Sequence, residues 1–553
     1  MRTIKGFNIK LLEEKTNDII QTLLKNRKIV HDPECLESFF NPSISDLHDP
    51  FLFDGMEKSV KRILEARDKE ERVIVFGDYD VDGVSATAML VEFFNEIGIQ
   101  VSYRIPHRVK DGYGLKNYFM DDLAQKNTKL LVTVDCGTRD IDVISYAKSL
   151  GMDVIITDHH FVPTIIPDGI ISLINPKLEN CKYPNKNLSG SGVAFKLLQA
   201  LAFRLFDEKK YNKIIENYID FAMLGTVADC MQLVGENRVI TYLGLKRLKN
   251  SSSAGLKKLI EGHNGDGLDS NLISYKIGPK LNAAGRMDSP YKALKVLLAS
   301  EQNLDEIMEE LEDLNTKRKA STEIFLKKAM EEIEEENNII FYDSTEIEHG
   351  IIGLIAGRLS EAFNKIAIVL KDEGDKLVAS SRAPEYISII EILEEFKEMF
   401  IVFGGHDQAA GFSISKENFP LFKEKIEKRV SSLVYKVDKT KWLEIDASIN
   451  LSQINFELLS KIEQFRPFGI GNPKPLFLLK NFIFSGIEYL GKEQKHLKFI
   501  TNNKEIDIKA FGFGDYYKEL YNKETISLIF EIERNIWNGR ESISLNVVDI
   551  ITD

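Results

Sequence analysis

Short apolar runs alternate with amphipathic helical patterns through the first half of the chain. The apolar runs have the length of buried strands and lie at 73–76, 130–134, 154–157 and 170–174. Helical periodicity follows at 84–97, 141–150 and 193–206. A strand followed by an amphipathic helix, repeated, is typical of a parallel sheet covered by helices. Ligands are therefore expected at the C-terminal ends of these strands.

A second, smaller alternating unit begins at Ile339. Its predicted strands lie at 339–343, 366–370, 377–381 and 410–414, and its predicted helices at 352–363, 387–396 and 420–433. The segment 304–337 that precedes it has helical periodicity and contains neither Gly nor Pro. One continuous helix over this segment would span about 50 Å, so we predict a long helical connector with a solvated face.

From about Trp442 the helical pattern gives way to short strand-like stretches. They lie at 477–479, 496–500, 506–511, 525–532 and 542–548, a pattern that favours a small β-barrel. The predicted fold class is α/β with a C-terminal barrel. The predicted division is an N-terminal helical segment (1–50), a parallel-sheet domain (51–235), a helical extension with the connector (236–337), a second α/β domain (338–436) and the barrel (437–553).

Composition narrows the class of protein. The 553 residues are 43% hydrophobic and 28% charged, which excludes collagen-like and wholly disordered chains. No run reaches the roughly 18 apolar residues that a membrane span needs. The sequence begins without the apolar core of a secretory signal, and its four cysteines form no CxxC pair. We therefore expect a cytoplasmic protein without a membrane partner.

Charge argues against a protein that coats nucleic acid through bulk electrostatics. The 72 basic and 85 acidic residues give a net charge of −13. Residues 301–336 contain 13 acidic and 5 basic side chains, so this one segment holds most of the excess. The charge distribution does not exclude a local basic groove elsewhere in the chain.

Three carboxylates at alternate positions, Asp78, Asp80 and Asp82, follow the predicted strand at 73–76. A calcium loop of the EF-hand type is excluded, because position 12 of the loop would be Met89 and a strand precedes it rather than a helix. A solvated turn is the plain alternative. Three like charges at one strand end favour a bound cation instead.

Two further strand ends carry similar chemistry. Asp135 follows the run at 130–134, and Asp158, His159 and His160 follow the run at 154–157. Taken singly, each residue could be a helix N-cap or a satisfied polar group. Because neighbouring strands of a parallel sheet end at one edge, we expect these side chains to lie close together. Asp229, which ends another apolar stretch, is a further candidate ligand. Oxygen ligands with imidazole suit Mg²⁺ and Mn²⁺.

These residues lie in motifs that resemble those of a known superfamily. The segments DYDVDG, VDCGT, DHH and GTVADC resemble the four motifs of the DHH phosphoesterase superfamily. Further segments resemble those of the RecJ family of single-strand-specific exonucleases: RIPHRVKDGYGL, SGSGVAFKL, GPKLNAAGRM, HGIIGLIAGRL, FGGHDQAAGFSI, FRPFGIGNPKPLF and RNIWNGRESISL. The resemblance covers nearly the whole chain beyond about residue 50.

The resemblance implies a DHH catalytic domain, a DHH-associated domain with a Gly-Gly-His motif, and an OB-fold. The implied activity is 5′-to-3′ degradation of single-stranded DNA to 5′-mononucleotides in recombination and repair, through two-metal phosphodiester hydrolysis with Mn²⁺ or Mg²⁺. The implied metal ligands are Asp78, Asp80, Asp82, Asp135, His159 and Asp229. Asp135 would bridge the two ions, and His160 would face the substrate as a second catalytic residue.

The resemblance also implies residues that bind phosphate or DNA. They are Arg108, Asn282, Arg286, His349, Ser380, Arg382, Gly404, Gly405 and His406. The family's usual Gly-Ser-x-Arg-Ser stretch reads here as Ala379 to Ala383, with the Ser and the Arg kept. Any one of these arginines, taken alone, is better explained as an ordinary surface salt-bridge partner, but the motifs that contain them favour phosphate binding.

Lys498, Trp537 and Arg540 are candidate DNA contacts of the OB-fold. Their plain interpretation as core or surface residues stays equally open, because residues 439–553 hold 15 basic and 16 acidic side chains. The segment therefore has no basic footprint.

Two other functions fit parts of the pattern. One is a DHH phosphodiesterase for short oligonucleotides or cyclic dinucleotides, a class that usually lacks the tail beyond Trp442. The other is a binding protein that has lost its chemistry, which the full set of carboxylates disfavours. The expected partner is single-stranded DNA with a 5′ end. Family analogy adds single-strand-binding protein, a helicase or mismatch-repair factors, and we expect a monomer.

Overall fold

The computed structural model describes residues 2–14, 16, 18–29, 32–263, 269–333, 337–434, 441–501, 506–537 and 539–552, without the side chains of Val434 and Trp537. The chain divides into two compact units. One comprises Leu47–Met231 and Gly235–Asp438, and the other comprises Met1–Asp46, Gln232–Val234 and Lys439–Asp553.

The strands, in chain order, are β1 (Asn8–Leu11), β2 (Arg72–Gly77), β3 (Val101–Arg104), β4 (Thr128–Val134), β5 (Asp153–Thr157), β6 (Ser172–Ile174), β7 (Ile339–Ser344), β8 (Ile366–Asp372), β9 (Lys376–Arg382), β10 (Phe400–His406), β11 (Ala409–Ser415), β12 (Trp442–Ile445), β13 (Ala447–Ser448), β14 (Phe477–Ile483), β15 (Gly486–Leu490), β16 (His496–Ile500), β17 (Ile506–Ala510), β18 (Thr525–Trp537) and β19 (Arg540–Ile551).

The helices, in chain order, are α1 (Ile19–Asn26), α2 (Pro33–Phe40), α3 (Met56–Asp68), α4 (Val81–Glu96), α5 (Asn117–Gln125), α6 (Ile141–Ser149), α7 (Gly190–Leu205), α8 (Glu208–Ala228), α9 (Gly235–Leu248), α10 (Ala254–Leu259), α11 (Ser270–Leu272), α12 (Gly278–Met287), α13 (Tyr291–Leu298), α14 (Leu304–Glu332), α15 (Ile352–Phe363), α16 (Ile389–Glu394), α17 (Phe419–Val434), α18 (Phe456–Glu463) and α19 (Tyr517–Tyr521).

The first sheet of the larger unit is parallel throughout, with strand order β3-β2-β4-β5-β6. Strands β2, β4, β5 and β6 and helix α4 are almost fully buried, as continuous apolar runs predict, whereas the edge strand β3 is only half-buried. Gly77 pairs with Val134, and Val134 pairs with Thr157, so β2, β4 and β5 end level. The residue that follows each of these strands therefore leaves the sheet at the same edge.

The predicted connector is confirmed as one helix, α14. Its buried residues, among them Leu311, Phe325 and Ala329, form a narrow stripe, and the rest of its surface faces solvent. The helix ends at Glu332, a little before the predicted end, because Ile333 adopts an extended backbone. Its 29 residues span about 43 Å.

The second sheet of this unit is mixed, with strand order β10-β11-β9-β8-β7. Only β7 and β8 run parallel, and apolar residues of β8, β11 and α17 form its core. The sequence pattern did not indicate β10. This edge strand exposes Ile401 and Val402 and ends in the two glycines of the Gly-Gly-His motif, so its residues show no alternation of buried and exposed positions.

The smaller unit is built on a seven-stranded sheet with order β13-β14-β18-β19-β17-β16-β15. Strand-rich structure after Trp442 is thereby confirmed. In the described residues β13 and β15 form the two edges and do not pair with each other. The N-terminal segment belongs to this unit: β1 pairs with β12, and Ile19, Leu23 and Leu24 share its core.

Among the helices of the described residues, none has the length and apolar character needed to cross a membrane.

A buried ion pair stabilises the larger unit. Lys196 Nζ lies 2.8 Å from Glu236 Oε1, and both side chains are fully buried. Tyr183 donates its hydroxyl to Glu236 Oε2 at 2.6 Å, and Lys196 also donates to the carbonyl of His48 at 2.7 Å. Removal of the carboxylate would therefore leave a buried, unpaired ammonium group.

We expect Glu236→Ala to lower the free energy of unfolding by about 3–5 kcal/mol, as for other broken buried pairs. The exposed pair of Glu57 and Arg204 is the matched control, and Glu57→Ala should cost no more than about 1 kcal/mol. Urea unfolding followed by circular dichroism measures both. Equal losses in the two variants would contradict the assignment.

Candidate active site

The turn between β2 and α4 holds three carboxylates. Asp80 caps α4, because its Oδ1 accepts hydrogen bonds from the backbone N–H groups of Asp82 (3.0 Å) and Gly83 (3.1 Å). A Cβ at Gly83 would lie 2.6 Å from the backbone nitrogen of Asp78. Glycine thus allows the helix to begin against the strand end and keeps all three acids together.

The carboxylate of Asp82, a residue of α4, contacts the N-terminus of α7. Its two oxygens accept the backbone N–H groups of Gly190 (2.6 Å) and Ser191 (2.9 Å). A Cβ at Gly190 would lie 2.4 Å from Cβ of Asp135, and one at Gly225 would lie 2.1 Å from Oδ1 of Asp82. These two glycines allow α7 and α8 to approach the acidic cluster closely.

Asp135, His159 and Asp229 meet at the end of the sheet. His159 Nε2 lies 3.1 Å from Oδ1 of Asp135, 3.6 Å from Oδ2 of Asp229 and 3.9 Å from Oδ2 of Asp82. Asp135 follows β4 with a positive φ of 59°, which turns it away from the strand direction. Asp229 is the C-cap of α8, so a helix rather than a strand delivers this carboxylate.

Three overlapping groups of these side chains have ligand atoms within 4.8 Å of one another: Asp78, Asp80 and Asp135; Asp82, His159 and Asp229; and Asp135, His159 and His160. Asp135 belongs to two of them. Asp135 links the first group to the third, and His159 links the third to the second, so the three groups form one continuous cluster.

The electrostatics of the cluster fit divalent cations. Burial, and then the neighbouring carboxylates, raises the pKa of Asp78 to about 8 and that of Asp229 to about 9. The same causes raise the pKa of Asp135 well above its usual value. Asp78 Oδ1 and Asp135 Oδ1 are buried and have no hydrogen-bond partner among the described residues. Carboxylates held in this way repel one another unless protons or cations neutralise them.

His159 has the protonation state of a metal ligand. Burial and the adjacent charge of His160 lower the pKa of His159 to about 3, so its imidazole is neutral near pH 7. Oxygen donors with one imidazole are suited to Mn²⁺ and Mg²⁺. The residues present therefore fit the pair of divalent ions that the sequence predicts.

His160 is oriented by Asp158. Asp158 Oδ1 lies 2.8 Å from His160 Nδ1 and also accepts the backbone N–H groups of His159 and His160. Burial acts to lower the pKa of His160, but the hydrogen bond and the charge of Asp158 raise it overall. The pKa of Asp158 is held below its usual range despite burial, so this carboxylate is an acceptor and Nδ1 carries the proton.

A cavity of about 890 Å³ opens beside His160 and extends into the second α/β domain. Most of the predicted phosphate-binding residues line it: Arg108, Arg286, His349, Ser380, Arg382, Gly404, Gly405 and His406. Asn282 is not among the lining residues, and its buried Oδ1 has no hydrogen-bond partner in the part of the chain described.

Three arginines concentrate positive charge in this cavity. Arg286 donates to the carbonyl of Gly350 at 3.0 Å, Arg382 donates to Ser380 Oγ at 3.1 Å, and the Arg108 guanidinium lies 4.0 Å from the centre of the Tyr79 ring. Burial, and then the charges of Arg108 and Arg382, lowers the pKa of Arg286 to about 9. An anion such as a phosphate would relieve this repulsion.

The two predicted histidines of the second domain differ in their surroundings. His406 faces the catalytic side, with its ring centre 6.2 Å from that of His160 and the planes 17° apart. His349 Nδ1 lies 3.3 Å from Glu373 Oε1. Both line the same cavity.

The OB-fold candidates lie in the smaller unit. Lys498 forms an ion pair with Asp507 at 2.9 Å, and Arg540 is exposed at the start of β19. The side chain of Trp537 lies outside the described part of the structure.

Sequence reasoning missed several side chains around the cavity. Asp158 was seen at its strand end but given no role, although it fixes the orientation of His160. Tyr113 places its hydroxyl 3.2 Å from His160 Nδ1, and Tyr79 and Arg139 line the cavity. Tyr113 lies within the KDGYGL segment, and Tyr79 lies between two acids, so their positions beside motif residues were the available signal.

Three family models match the chain. The model described as DHH family, N-terminal domain, matches residues 72–226, the DHHA1 domain matches 336–432, and the RecJ OB domain matches 445–549. Together with the observed sheets, these matches confirm the predicted fold class.

Curated relatives cover most of the chain. The single-stranded-DNA-specific exonuclease RecJ of Escherichia coli (strain K12) is 32% identical, and the alignment covers 90% of each chain. The protein of the same name from Bacillus subtilis is 31% identical, and the alignment covers 93% of this chain and 66% of that relative. This chain thus spans about two thirds of the Bacillus protein's length.

Two solved structures of RecJ are similar to this chain over nearly its whole length. The crystal structure of RecJ in complex with Mn²⁺ from Thermus thermophilus superimposes with a TM-score of 0.82 at 26% identity, covering 99% of this chain and 80% of that one. The Mg²⁺ complex of RecJ from the same organism gives a TM-score of 0.78 at 25% identity, with coverage of 99% and 79%.

Proposed function

The chain belongs to the RecJ family, and from this membership we infer that it is a 5′-to-3′ exonuclease that degrades single-stranded DNA to 5′-mononucleotides. The reaction is phosphodiester hydrolysis, and its role is in DNA recombination and repair. One observation supports this function most strongly: an acidic and imidazole centre for cations and an arginine-lined cavity for anions lie side by side around His160.

The metal cofactor is Mn²⁺ or Mg²⁺. Bound divalent ions supply Lewis-acid stabilisation of phosphoryl charge and a nucleophile at neutral pH. The proposed ligands are Asp78 and Asp80 on one side and Asp82, His159 and Asp229 on the other. Asp135 groups with the first pair and contacts His159 of the second set, so we assign it the place between them.

His160 supplies a hydrogen-bond donor next to these ligands. Its Nδ1 proton is held by Asp158, which leaves the other edge of the ring for the cavity. The raised pKa favours the protonated ring, a donor suited to a phosphoryl oxygen or to the departing oxygen. We assign His160 this contact with the scissile phosphate.

The arginine-lined end of the cavity is the proposed site of the terminal 5′ phosphate. Arg108, Arg286 and Arg382 converge there with Ser380, and guanidinium groups match the geometry of a phosphate. Gly404 and Gly405 leave their backbone open to the cavity, and His406 adds a donor. His349, which lines the cavity, is assigned a supporting contact. Asn282 does not line the cavity, and its role in phosphate binding stays a prediction from the resemblance.

Substrate length separates this function from the alternative of a phosphodiesterase for short oligonucleotides or cyclic dinucleotides. The RecJ OB domain match over residues 445–549 favours long single strands. Lys498, Trp537 and Arg540 remain our candidates for DNA contacts in that domain.

Several finer points are proposals from family analogy. They are a monomeric state, a cytoplasmic location, and interaction with single-strand-binding protein, a helicase or mismatch-repair factors.

Asp135→Asn should reduce turnover of a long single strand by a factor of roughly 10³ or more, because it removes a carboxylate that groups with Asp78 and Asp80 and contacts His159. DNA affinity and folding should change little, since the arginine-lined cavity is untouched. Shortening of a 3′-labelled strand from its 5′ end measures the rate. Asp142→Asn, at an exposed position in the first turn of α6, is the control. Turnover near that of the wild type in Asp135→Asn would remove the central assignment.

Arg382→Ala should reduce the preference for a 5′-phosphorylated over a 5′-hydroxyl strand by about 10- to 150-fold, the loss of one charge-assisted contact. The ratio of kcat/KM for the two strands measures the preference. Arg429→Ala, in an exposed ion pair with Glu395 of the same domain, should leave the ratio unchanged. An unchanged ratio in Arg382→Ala would refute the end-binding role.

A further inference from the structure

Two side chains that the proposed function does not use lie beside His160. Phe161 follows it directly, and its side chain is 63% exposed. Arg139, from the loop after β4, lines the cavity and donates from Nε to the carbonyl oxygen of Phe161 at 3.4 Å. The Arg139 guanidinium lies 5.9 Å from the centre of the Phe161 ring. An aromatic ring and a cation are thus held together at the edge of the catalytic cavity.

A scattered exposed apolar residue needs no explanation. Phe161 differs through its position, because it adjoins both the proposed catalytic histidine and a cation that lines the cavity. Proteins that hold single strands combine exposed aromatic rings, on which bases stack, with basic groups that follow the backbone. Arg139 and Phe161 provide one of each.

Positive charge is also present around Arg139. Burial, and then the charges of His160, Arg139 and Lys177, lowers the pKa of His406. Burial, and then the charges of Arg108, Arg382 and Arg318, lowers the pKa of Arg286. Arg139 is thus not among the cations that act most strongly on Arg286. A strand carries a phosphate on every nucleotide, so it can supply a second anion beside Arg139.

We propose that Arg139 and Phe161 form a nucleotide subsite for the single-stranded substrate, in which Phe161 stacks on a base and Arg139 binds a backbone phosphate. The proposal rests on the proposed function. It makes these two residues positioning residues that hold the strand while His160 contacts the scissile phosphate.

The first test is kinetic. Phe161→Ala should raise KM for a long single strand by about 5- to 150-fold, the range expected for the loss of one stacked base, with kcat changed by less than about twofold. Phe161→Tyr keeps a stacking ring and should retain the wild-type KM. Phe203→Ala is the matched control, because Phe203 on α7 is also 63% exposed, and its ring lies beside Phe51 and Tyr211, which do not line the cavity, rather than beside His160 and Arg139.

The second test separates the two roles through salt dependence. Arg139→Ala should make the slope of log affinity against log salt concentration shallower by about 0.7, the value for one phosphate contact on a single strand. Phe161→Ala should weaken binding without changing this slope. Arg204→Ala, exposed on α7, should change neither quantity.

A third test detects stacking directly. In an Asp135→Asn background, which contains the native Trp442 and Trp537, a 5′-phosphorylated oligothymidylate should quench Phe161→Trp more strongly than the background protein itself. Phe203→Trp should show no quenching beyond that of the background. An otherwise identical strand of abasic residues should leave the fluorescence of Phe161→Trp unchanged.

The outcomes distinguish this inference from the function on which it rests. If the wild type releases no nucleotides from single strands, the proposed function fails. If the wild type is active but Phe161→Ala matches Phe203→Ala in KM, or if abasic and normal strands quench Phe161→Trp equally, only the subsite is overturned.

Discussion

Repulsion among buried carboxylates is the constraint on which the functional part of the structure depends. Asp78 and Asp135 are buried and Asp229 is half-buried, and burial and their mutual proximity raise the pKa of each. Ionised together, they would destabilise the fold unless cations offset the repulsion. The arrangement of the carboxylates therefore destabilises the ionised site without metal and favours the binding of divalent ions.

The fold produces this cluster through backbone geometry. Three level strand ends deliver the acids and histidines to one edge of the sheet, and Gly190 and Gly225 allow two helices to close over them. On the other side of His160, arginines line a cavity, so the local charge there is positive rather than negative. Under the proposed function, cations and the anionic strand occupy neighbouring places, and the scissile phosphate lies where the two regions meet.

Much of this site could be predicted from sequence, because periodic patterns locate strand ends and parallel strands end together. Asp135 and His159 lie in contact for that reason. Other features depend on tertiary packing that no local pattern records. The contact of Asp82 with the N-terminus of α7 joins residues more than a hundred positions apart. Strand β10 lacks the alternation of buried and exposed residues by which a strand is recognised. The association of the N-terminal segment with the smaller unit depends on the pairing of β1 with β12.

The most direct test of the account is the number of protons released when Mn²⁺ binds to the metal-free chain. At pH 7, pKa values of about 8 and about 9 keep Asp78 and Asp229 largely protonated without metal, and binding must displace those protons. Titration calorimetry in two buffers of different ionisation enthalpy yields both stoichiometry and proton count. The account predicts two ions per chain with net proton release. Binding of fewer than two ions, or binding without proton release, would contradict it.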